Sequence, residues 1–263
     1  MITDFVFDKV KLSDLGYVAF WQNSEDQVTV SDMNLNTIKA ARSDISHSTS
    51  YTYENNYSST FLLLKDSCRH NPDELNLTYR DISELTKWLC RKQYKWFRLI
   101  KDDDDDEIWY QVQIDVKKEL AGEDVIGLTI TVNANTPYGF SKQKVKSFTN
   151  SPYMVRTHSD EEGYIYPDVE ITLRQSGNLV LTNTLENRQT TIKNCINTEK
   201  ITIYGGDLQQ IISTNQNHDF VTEFNYVFPR LLCNYYEFDN NFTSNLACDI
   251  SFTYRDIRKV GMS

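Results

Sequence analysis

The most concentrated chemical feature of the sequence is a run of six adjacent carboxylates at residues 102–107. Hard cations such as Ca²⁺ take several carboxylate oxygens, so the run raises the question of a calcium site. It lacks the D-x-[DN]-x-[DN]-G spacing of a calcium loop, and neighbouring side chains of an extended chain point in alternating directions. The pattern therefore favours a solvated hairpin tip between Ile100 and Ile108, and we assign no metal to it.

Histidines are the next candidates for metal binding or proton transfer, and the chain has four: His47, His70, His158 and His218. None stands in H-E-x-x-H or at i, i+4 spacing on a predicted helix, so a zinc hydrolase is not indicated. A metal site needs two or three converging donors, and we expect each histidine to lie in a loop or at the surface.

Other catalytic motifs are missing from the sequence. It contains neither G-x-S-x-G nor a glycine-rich phosphate loop, and only nine glycines in total. Paired carboxylates for glycoside hydrolysis stay open, because acidic residues are plentiful and their separation is not visible in a sequence. Exposed tyrosines stack on sugar rings, but alternating tyrosines are also common as half-buried sheet residues. The tyrosines in question are Tyr164, Tyr166, Tyr235 and Tyr236.

Composition narrows the class of protein. The net charge of −10 argues against a protein that grips nucleic acid, which needs clustered Lys and Arg. The five cysteines are widely spaced and form no C-x-x-C pair, so we expect reduced, mostly buried thiols. No segment is apolar enough to span a membrane, and no signal peptide is predicted. We therefore predict a protein that first appears in a cytoplasm and binds no cofactor.

One helix interrupts an otherwise strand-like sequence, at residues 81–92. Asp81 is the predicted N-cap, with Glu84 at the capping-box position. Strand-type residues follow at 94–100, then the acidic run, then strict alternation at 108–116, which predicts a hairpin. The apolar stripe of the helix comprises Ile82, Leu85, Trp88 and Leu89.

The rest of the chain divides into two strand-built halves, and the predicted fold class is mainly β. Residues 1–139 are predicted as an N-terminal β domain with the helix and the hairpin. Within it, residues 33–58 lack periodicity and predict a long loop or irregular extension, anchored by Ile38, Ile45 and Tyr51. Residues 140–263 are predicted as a C-terminal antiparallel β-sandwich. Its predicted strands are 169–173, 179–181, 190–192, 201–204, 208–212, 221–224 and 246–254.

This order of parts resembles the distal tail proteins (Dit) of tailed phages that infect low-GC bacteria. In the first half the likeness lies in the loop 68–72, the helix end 88–91, the segment 94–97 and the acidic hairpin. In the second half it lies in residues 163–173, 177–179, 199–204, 224–225, 228–231 and 250–255. The likeness covers nearly the whole chain but consists of apolar and turn patterns.

The resemblance implies a structural virion protein at the phage tail tip, assembled in the host cytoplasm and without catalysis. Proteins of that family form a hexameric ring through the N-terminal domain, which joins the tail tube protein to the tail-tip hub. DNA passes the ring without specific binding. The C-terminal domain is galectin-like and serves as a dock for other tail parts, such as a receptor-binding protein, or contacts host surface glycans. Residues 33–58 or the acidic hairpin are the predicted arm that reaches a neighbouring subunit.

Two alternatives from other classes stay open. A lectin-like module would bind glycans through a shallow aromatic groove. A glycoside hydrolase would need two carboxylates about 5–10 Å apart in a cleft. A phage-derived tail-like particle would use the same part as a phage, and the sequence does not separate the two.

Overall fold

The computed structural model describes residues 2–22, 33–39, 44–53, 56–100, 107–206 and 209–259. These residues form two compact units. The first unit runs to Phe140 and includes Lys259, and the second runs from Ser141 to Arg258. Each unit has its own hydrophobic core.

Strands dominate the first unit, with a single longer helix between them. In chain order its elements are β1 (Ile2–Phe7), β2 (Val10–Lys11), a 3-10 helix (Leu12–Leu15), β3 (Tyr17–Trp21), β4 (Met33–Lys39), β5 (Ser46–Tyr53), β6 (Ser58–Lys65), a second 3-10 helix (Pro72–Glu74), α1 (Tyr79–Leu89), β7 (Lys95–Ile100), β8 (Tyr110–Ala121), β9 (Asp124–Ala134) and β10 (Gly139–Phe140).

Six of these strands close into a barrel. They follow the order β1-β3-β6-β9-β8-β7, and β7 pairs back onto β1 with Asp4 opposite Ile100 and Phe7 opposite Phe97. All pairs are antiparallel. Alternate residues of each strand fill the interior, as in other small barrels. The sequence alternation of β9 is confirmed, because Leu128, Ile130 and Val132 are fully buried.

Aromatic rings make up the centre of the barrel, and α1 packs against them. Phe5 and Phe97 are fully buried with ring centroids 5.2 Å apart. On the buried face of α1, Leu85 and Leu89 join the same core, and Trp88 stacks on Phe5 at 5.9 Å. Burial of this stripe stabilises the helix more than intrinsic propensity does.

The start of α1 differs from the sequence prediction by three residues. The N-cap is Thr78, whose Oγ1 accepts a hydrogen bond from the backbone N–H of Asp81 at 3.2 Å. The Asp81 carboxylate in turn accepts the Thr78 backbone N–H at 2.8 Å. Asp81 is therefore the third residue of a capping box, since a carboxylate at that position reaches back to the N-cap amide. The helix ends at Leu89, before the predicted end at residue 92.

The predicted irregular extension at residues 33–58 is wrong in its local structure. β4 and β5 pair antiparallel from Met33–Tyr53 to Lys39–Ser46, with a bulge between Asn36 and Thr37. Both faces of this hairpin are open to solvent. A strand without a buried face shows no period-two hydrophobic pattern, which explains why its sequence reads as a loop.

The second unit consists of two antiparallel sheets around one core, together with a small ribbon. In chain order its elements are β11 (Lys144–Phe148), β12 (Tyr153–His158), β13 (Gly163–Ile165), β14 (Asp168–Leu173), β15 (Gly177–Asn183), β16 (Arg188–Cys195), β17 (Lys200–Tyr204), β18 (Gln210–Ser213), α2 (Phe220–Glu223), β19 (Leu231–Cys233), β20 (Glu237–Ser244), β21 (Cys248–Tyr254) and β22 (Ile257–Arg258).

The sheets have the orders β11-β21-β14-β17-β18 and β12-β20-β15-β16, and β13 pairs with β19 as a ribbon. Inward residues such as Ile171, Leu181 and Phe252 form the shared core. The predicted strand at 221–224 is wrong: it is the short helix α2, which Asp219 caps by accepting the N–H of Val221 at 3.2 Å. The prediction also omitted β11, β12, β13, β19, β20 and β22.

Candidate assembly surface

The β4–β5 hairpin is the main exposed apolar feature of the first unit. Leu35, Ile38, Ile45 and Tyr51 are between 49% and 65% exposed. The sequence prediction that Ile38, Ile45 and Tyr51 anchor this segment is therefore wrong within a single chain. An isolated two-stranded ribbon is marginally stable in water, and clustered exposed apolar side chains mark interaction sites.

Polar bonds hold the hairpin together near its bulge. Asn36 donates its side-chain amide to Ser50 Oγ at 3.0 Å, and Thr49 Oγ1 donates to the carbonyl oxygen of Asn36 at 3.0 Å. At the base, Tyr53 lies edge-on to Tyr138 with centroids 6.4 Å apart. The hairpin is thus fastened to its own unit at one end, while Leu35 and Ile38 stay more than half exposed to solvent.

The outward face of β6, β9 and β8 presents polar side chains. Asn133 donates to Asp115 at 3.0 Å, Ser58 donates to Asn133 at 2.9 Å, and Thr129 donates to Glu119 at 2.5 Å. These side chains satisfy one another across neighbouring strands. The surface therefore carries carboxylates and small polar groups that need no ligand.

Only Glu107 of the acidic run belongs to the described residues, and the rest of the predicted hairpin tip lies outside them. Glu107 accepts Arg98 at 2.8 Å. On either side of the run, β7 and β8 pair as a hairpin, as predicted. Among the described residues no group of three or more His, Cys, Asp and Glu side chains is arranged to hold a metal ion.

The histidines occupy separate places. His47 lies on the exposed strand β5, His158 lies on the outer face of β12, and His70 Nε2 lies 3.2 Å from the carbonyl oxygen of Gly16. His218 lies in the loop between β18 and α2, within the predicted range of positions, but its side chain is fully buried beside two glutamates. A polar histidine tolerates such burial only with strong partners, which a sequence does not display.

Tyr164 is the sugar-stacking candidate with the most defined surroundings. It lies on β13 with its ring 3.6 Å from the guanidinium carbon of Arg230, which is held by Glu186 at 2.6 Å. The ring is 49% exposed, while Tyr235 and Tyr236, which follow β19, are 51% and 76% exposed. The β13–β19 ribbon thus brings the tyrosines of the sequence prediction to one part of the second unit.

A groove of about 400 Å³ opens between β11 and β12 on the second unit. Its charged lining consists of Lys144, Lys146, Arg156 and one carboxylate, Glu237, which lies 3.3 Å from Arg156. Glycoside hydrolysis needs two carboxylates facing a sugar, and the lining of this groove does not supply the pair.

The five cysteines are all free thiols. Cys195, Cys233 and Cys248 are buried free thiols, whereas Cys68 and Cys90 are exposed free thiols. Burial raises the pKa of Cys233, which keeps that thiol protonated and unreactive. No helix within the described ranges is long and apolar enough to cross a membrane.

Two protein-family models match this chain, and together they cover nearly all of it. A model described as phage tail protein N-terminal domain matches residues 1–136, and one described as phage tail C-terminal domain matches residues 138–254. The chain belongs to this phage tail protein family. It is a structural component of the phage tail. No curated relative matches this tail protein.

Solved structures share the whole fold of the tail protein. The crystal structure of the Dit protein of phage SPP1, described as a paradigm of the hub adsorption apparatus in phages that infect Gram-positive bacteria, is similar with a TM-score of 0.61 and 12% identity, over 97% of this chain and 99% of that chain. The phage P2 baseplate in its activated conformation with Ca is similar with a TM-score of 0.59 and 8% identity, over 99% of this chain and 100% of that chain. The same baseplate with Sr is similar with a TM-score of 0.60 and 9% identity, over 99% of this chain and 100% of that chain.

Proposed function

We propose that this tail protein is the distal tail hub, a ring of six copies that joins the tail tube to the tail-tip apparatus. The observation that carries the proposal is that both units of the chain share one continuous fold with the SPP1 Dit hub protein. The exposed β4–β5 hairpin supports it, because a ribbon with open apolar side chains needs a partner surface. We assign the ring to the first unit and docking of other tail proteins to the galectin-like second unit.

The hairpin is the proposed contact between neighbouring copies. Leu35 and Ile38 extend from a unit whose barrel is closed, so the contact is made between side chains and not by adding a strand to the barrel. Each hairpin binds a different surface on the next copy. Such heterologous contacts close into a ring when the rotation between copies divides a full turn.

The ring has no catalytic role in this proposal, and DNA passes through it. The chain has a net charge of −10, and repeating it around a channel repels a polyanion. We expect no retardation of double-stranded DNA by the purified ring at physiological salt. A salt-sensitive shift of the DNA band would contradict this part of the proposal.

Light scattering after gel filtration tests the ring directly. The wild-type chain is expected to have a mass six times that of the 30.7 kDa chain, and negative-stain images should show a central hole. Replacing Leu35 and Ile38 together by Asp should reduce the particle to monomer while leaving circular dichroism unchanged. The matched control replaces Tyr79 and Tyr94, two exposed residues of the same unit, by Asp. A wild-type chain that stays monomeric at its highest soluble concentration would refute the ring.

A carbohydrate-binding role of the second unit is the alternative that one observation favours. Tyr164 presents a half-exposed ring. The guanidinium of Arg230, which is paired with Glu186, packs against that ring. Sugars stack on such rings through their apolar faces. A glycan array separates the two functions. Binding that is lost in Tyr164→Ala but kept in Tyr226→Ala, a control at another exposed tyrosine of the same unit, would support the carbohydrate-binding function.

A further inference from the structure

The four-stranded sheet of the second unit has two edge strands, β16 and β12. The edge of β16 is covered by Asn225, whose side-chain Oδ1 accepts the Thr191 backbone N–H at 3.1 Å and whose Nδ2 donates to the carbonyl oxygen of Gln189 at 2.9 Å. Within the described residues β12 has only one ladder partner, β20. An edge strand with unpaired backbone groups is a template for another strand. The open edge of this sheet is therefore β12.

The ladder with β20 determines which backbone groups of β12 point outward. Asn241 of β20 lies opposite Met154, and its carbonyl oxygen accepts the N–H of Thr184 at 2.8 Å on its other side. Residue pairs with and without hydrogen bonds alternate along an antiparallel ladder. Met154, Arg156 and His158 therefore direct their backbone N–H and C=O groups away from β20.

Side chains of the same unit satisfy the far end of this row of groups. Tyr254 Oη donates to the carbonyl oxygen of Arg156 at 2.6 Å, and Asp256 Oδ1 accepts the N–H of His158 at 3.0 Å. In the described part of the chain, the N–H and C=O of Met154 and the N–H of Arg156 have no hydrogen-bond partner. These three groups lie side by side along one edge, so a short extended segment can bind all of them.

The groove between β11 and β12 lies beside these groups, and its lining includes one lysine that is not neutralised. Two other cations of the groove, Lys144 and Arg156, are already paired with aspartates. Lys146 is exposed and has no carboxylate partner among the described residues. It lies opposite Phe252, whose side chain is buried in the core, so the lysine is on the inner face of its sheet. Its ammonium is therefore left for a carboxylate from outside the unit.

An aromatic contact shows where Lys146 lies along β12. The ring centroids of Phe148 on β11 and Tyr153 on β12 are 5.9 Å apart. Two residues further from the β11–β12 connection on each strand are Lys146 and Val155, and side chains two residues apart share one face of a strand. A segment that adds to β12 would have one residue opposite Val155, with its side chain pointing inward toward Lys146. This position favours a carboxylate.

We propose that the edge of β12 binds an extended segment of another tail protein, which adds to the sheet as an antiparallel strand and places an acidic side chain beside Lys146. All other pairs of this sheet are antiparallel. The inference rests on the proposed docking role of the second unit and names the kind of segment that docks. Hydrogen bonds to Met154 and Arg156 supply affinity for an extended backbone. A lysine on an edge strand disfavours apolar strands, so an acidic strand is selected.

A synthetic peptide tests the charge of the docking segment. The probe is a short peptide in which Val and Asp alternate, with blocked ends and a fluorescent label, and its anisotropy is measured with the full chain. We expect saturable binding with a dissociation constant below about 1 mM, and about tenfold weaker binding when Lys replaces Asp. Equal binding of the two peptides, or no binding of either up to about 1 mM, would overturn the proposal.

The geometry also predicts which edge of the peptide faces β12. Residues of an antiparallel strand that lie opposite Met154 and Arg156 turn their backbone groups toward β12 and their side chains toward solvent. When the aspartates face Lys146, these residues are the valines. N-methylation of the valines should therefore abolish binding, whereas N-methylation of the aspartates should leave it unchanged. The reverse result, or equal effects, would refute the proposed strand addition.

Hydrogen exchange at single-residue resolution locates the peptide on the full chain. The amides of Met154 and Arg156 should exchange about tenfold more slowly with saturating peptide, whereas the amide of Val155, which is bonded within the sheet, should be slow throughout. Met154→Pro removes an outward N–H without breaking the ladder and should abolish binding. Met154→Ala keeps that N–H and is the matched control. Protection elsewhere with none at Met154 would contradict docking at this edge.

Charge reversal on the chain completes the test. Lys146→Glu should reverse the preference, so that the peptide with Lys binds more tightly than the peptide with Asp. Lys193→Glu, at an exposed lysine of the opposite edge strand β16, is the control and should leave the preference unchanged. Light scattering of the same samples separates this inference from the ring: a hexamer that does not bind the peptide refutes only the docking edge, and a monomer that binds it refutes only the ring. A smaller particle in Met154→Pro would mean that a second copy occupies the edge, which would overturn the proposal.

Discussion

Trp88 of α1 donates its indole N–H to the carbonyl oxygen of Phe7 on β1, 3.2 Å away. Phe7 belongs to β1, and β1 closes the barrel by pairing with residues 97–100 of β7. The bond therefore ties the helix to the strand pair that closes the barrel.

Removing the indole should destabilise the first unit. Trp88→Phe keeps most of the packing but leaves the Phe7 carbonyl oxygen without this donor, at a cost of about 1–2 kcal/mol. Trp88→Ala also opens a cavity, and we expect a loss of about 3–5 kcal/mol. Urea unfolding of the full chain, followed by hydrogen exchange at peptides of the first unit, measures both. Tyr79→Ala on the exposed face of the same helix should change stability by less than about 0.5 kcal/mol.

The first unit should lose stability in acid through Asp81. Burial alone would raise the pKa of this carboxyl, but the Lys65 ammonium at 2.8 Å and the two hydrogen bonds from Thr78 outweigh it and lower the pKa to about 2. A depressed pKa means that the stabilisation is complete above the ordinary value of 3.8 and is lost as the pH falls toward 2.

We expect Asp81→Asn to remove about 1–2 kcal/mol at neutral pH and to flatten the decline in stability between these two pH values. Urea midpoints across that range measure the effect. Glu84→Gln, which removes the exposed pair with Arg80 at 2.9 Å on the same helix, is the control and should leave the acid profile unchanged. Equal profiles for both variants would contradict the role of Asp81.

Two adjacent glycines should differ in how much stability they lose on the same substitution. A Cβ at Gly205 would lie 2.2 Å from the carbonyl oxygen of Tyr166, whereas a Cβ at Gly206 would meet nothing within 4 Å. We expect Gly205→Ala to cost about 1–3 kcal/mol, because backbone must move, and Gly206→Ala to be nearly neutral. Thermal unfolding of the two variants side by side tests this. Equal melting temperatures would mean that the Tyr166 segment yields easily.

β16 is an edge strand of the four-stranded sheet, and Asn225→Ala should uncover that edge. It removes the side-chain acceptor of the Thr191 N–H and the donor to the Gln189 carbonyl oxygen. We expect a loss of about 1–2 kcal/mol, and light scattering that grows with protein concentration as uncovered edges pair. Asn217→Ala, which removes another exposed asparagine of the same connecting segment, is the control and should scatter like the wild type. Wild-type scattering by Asn225→Ala would contradict the role of this residue at the edge.

The sequence predicts elements with one buried face well, because the period of burial is written in their residues. The alternation of Leu128, Ile130 and Val132 identifies β9, and the stripe of Leu85, Trp88 and Leu89 identifies α1. The exposed hairpin β4–β5 escapes the same reasoning, since neither of its faces enters a core. Residues 221–224 were misassigned because four residues are too few to separate the period of a helix from that of a strand.

Long-range relationships lie outside what periodicity contains. The pairing of Phe7 with Phe97, which closes the barrel, joins residues 90 positions apart. The burial of His218 depends on Glu199 and Glu223, which arrive from different elements, and no local pattern distinguishes this histidine from the three others. The candidate assembly surface was found in part, because Ile38, Ile45 and Tyr51 stand out as apolar residues in a polar segment.

Because β7 pairs with β1, the barrel of the first unit has no first or last strand. A neighbouring copy cannot extend this barrel by pairing one more strand with it. In the ring proposed above, the number of copies would then be set by the angle between neighbouring contacts and not by the amount of protein available.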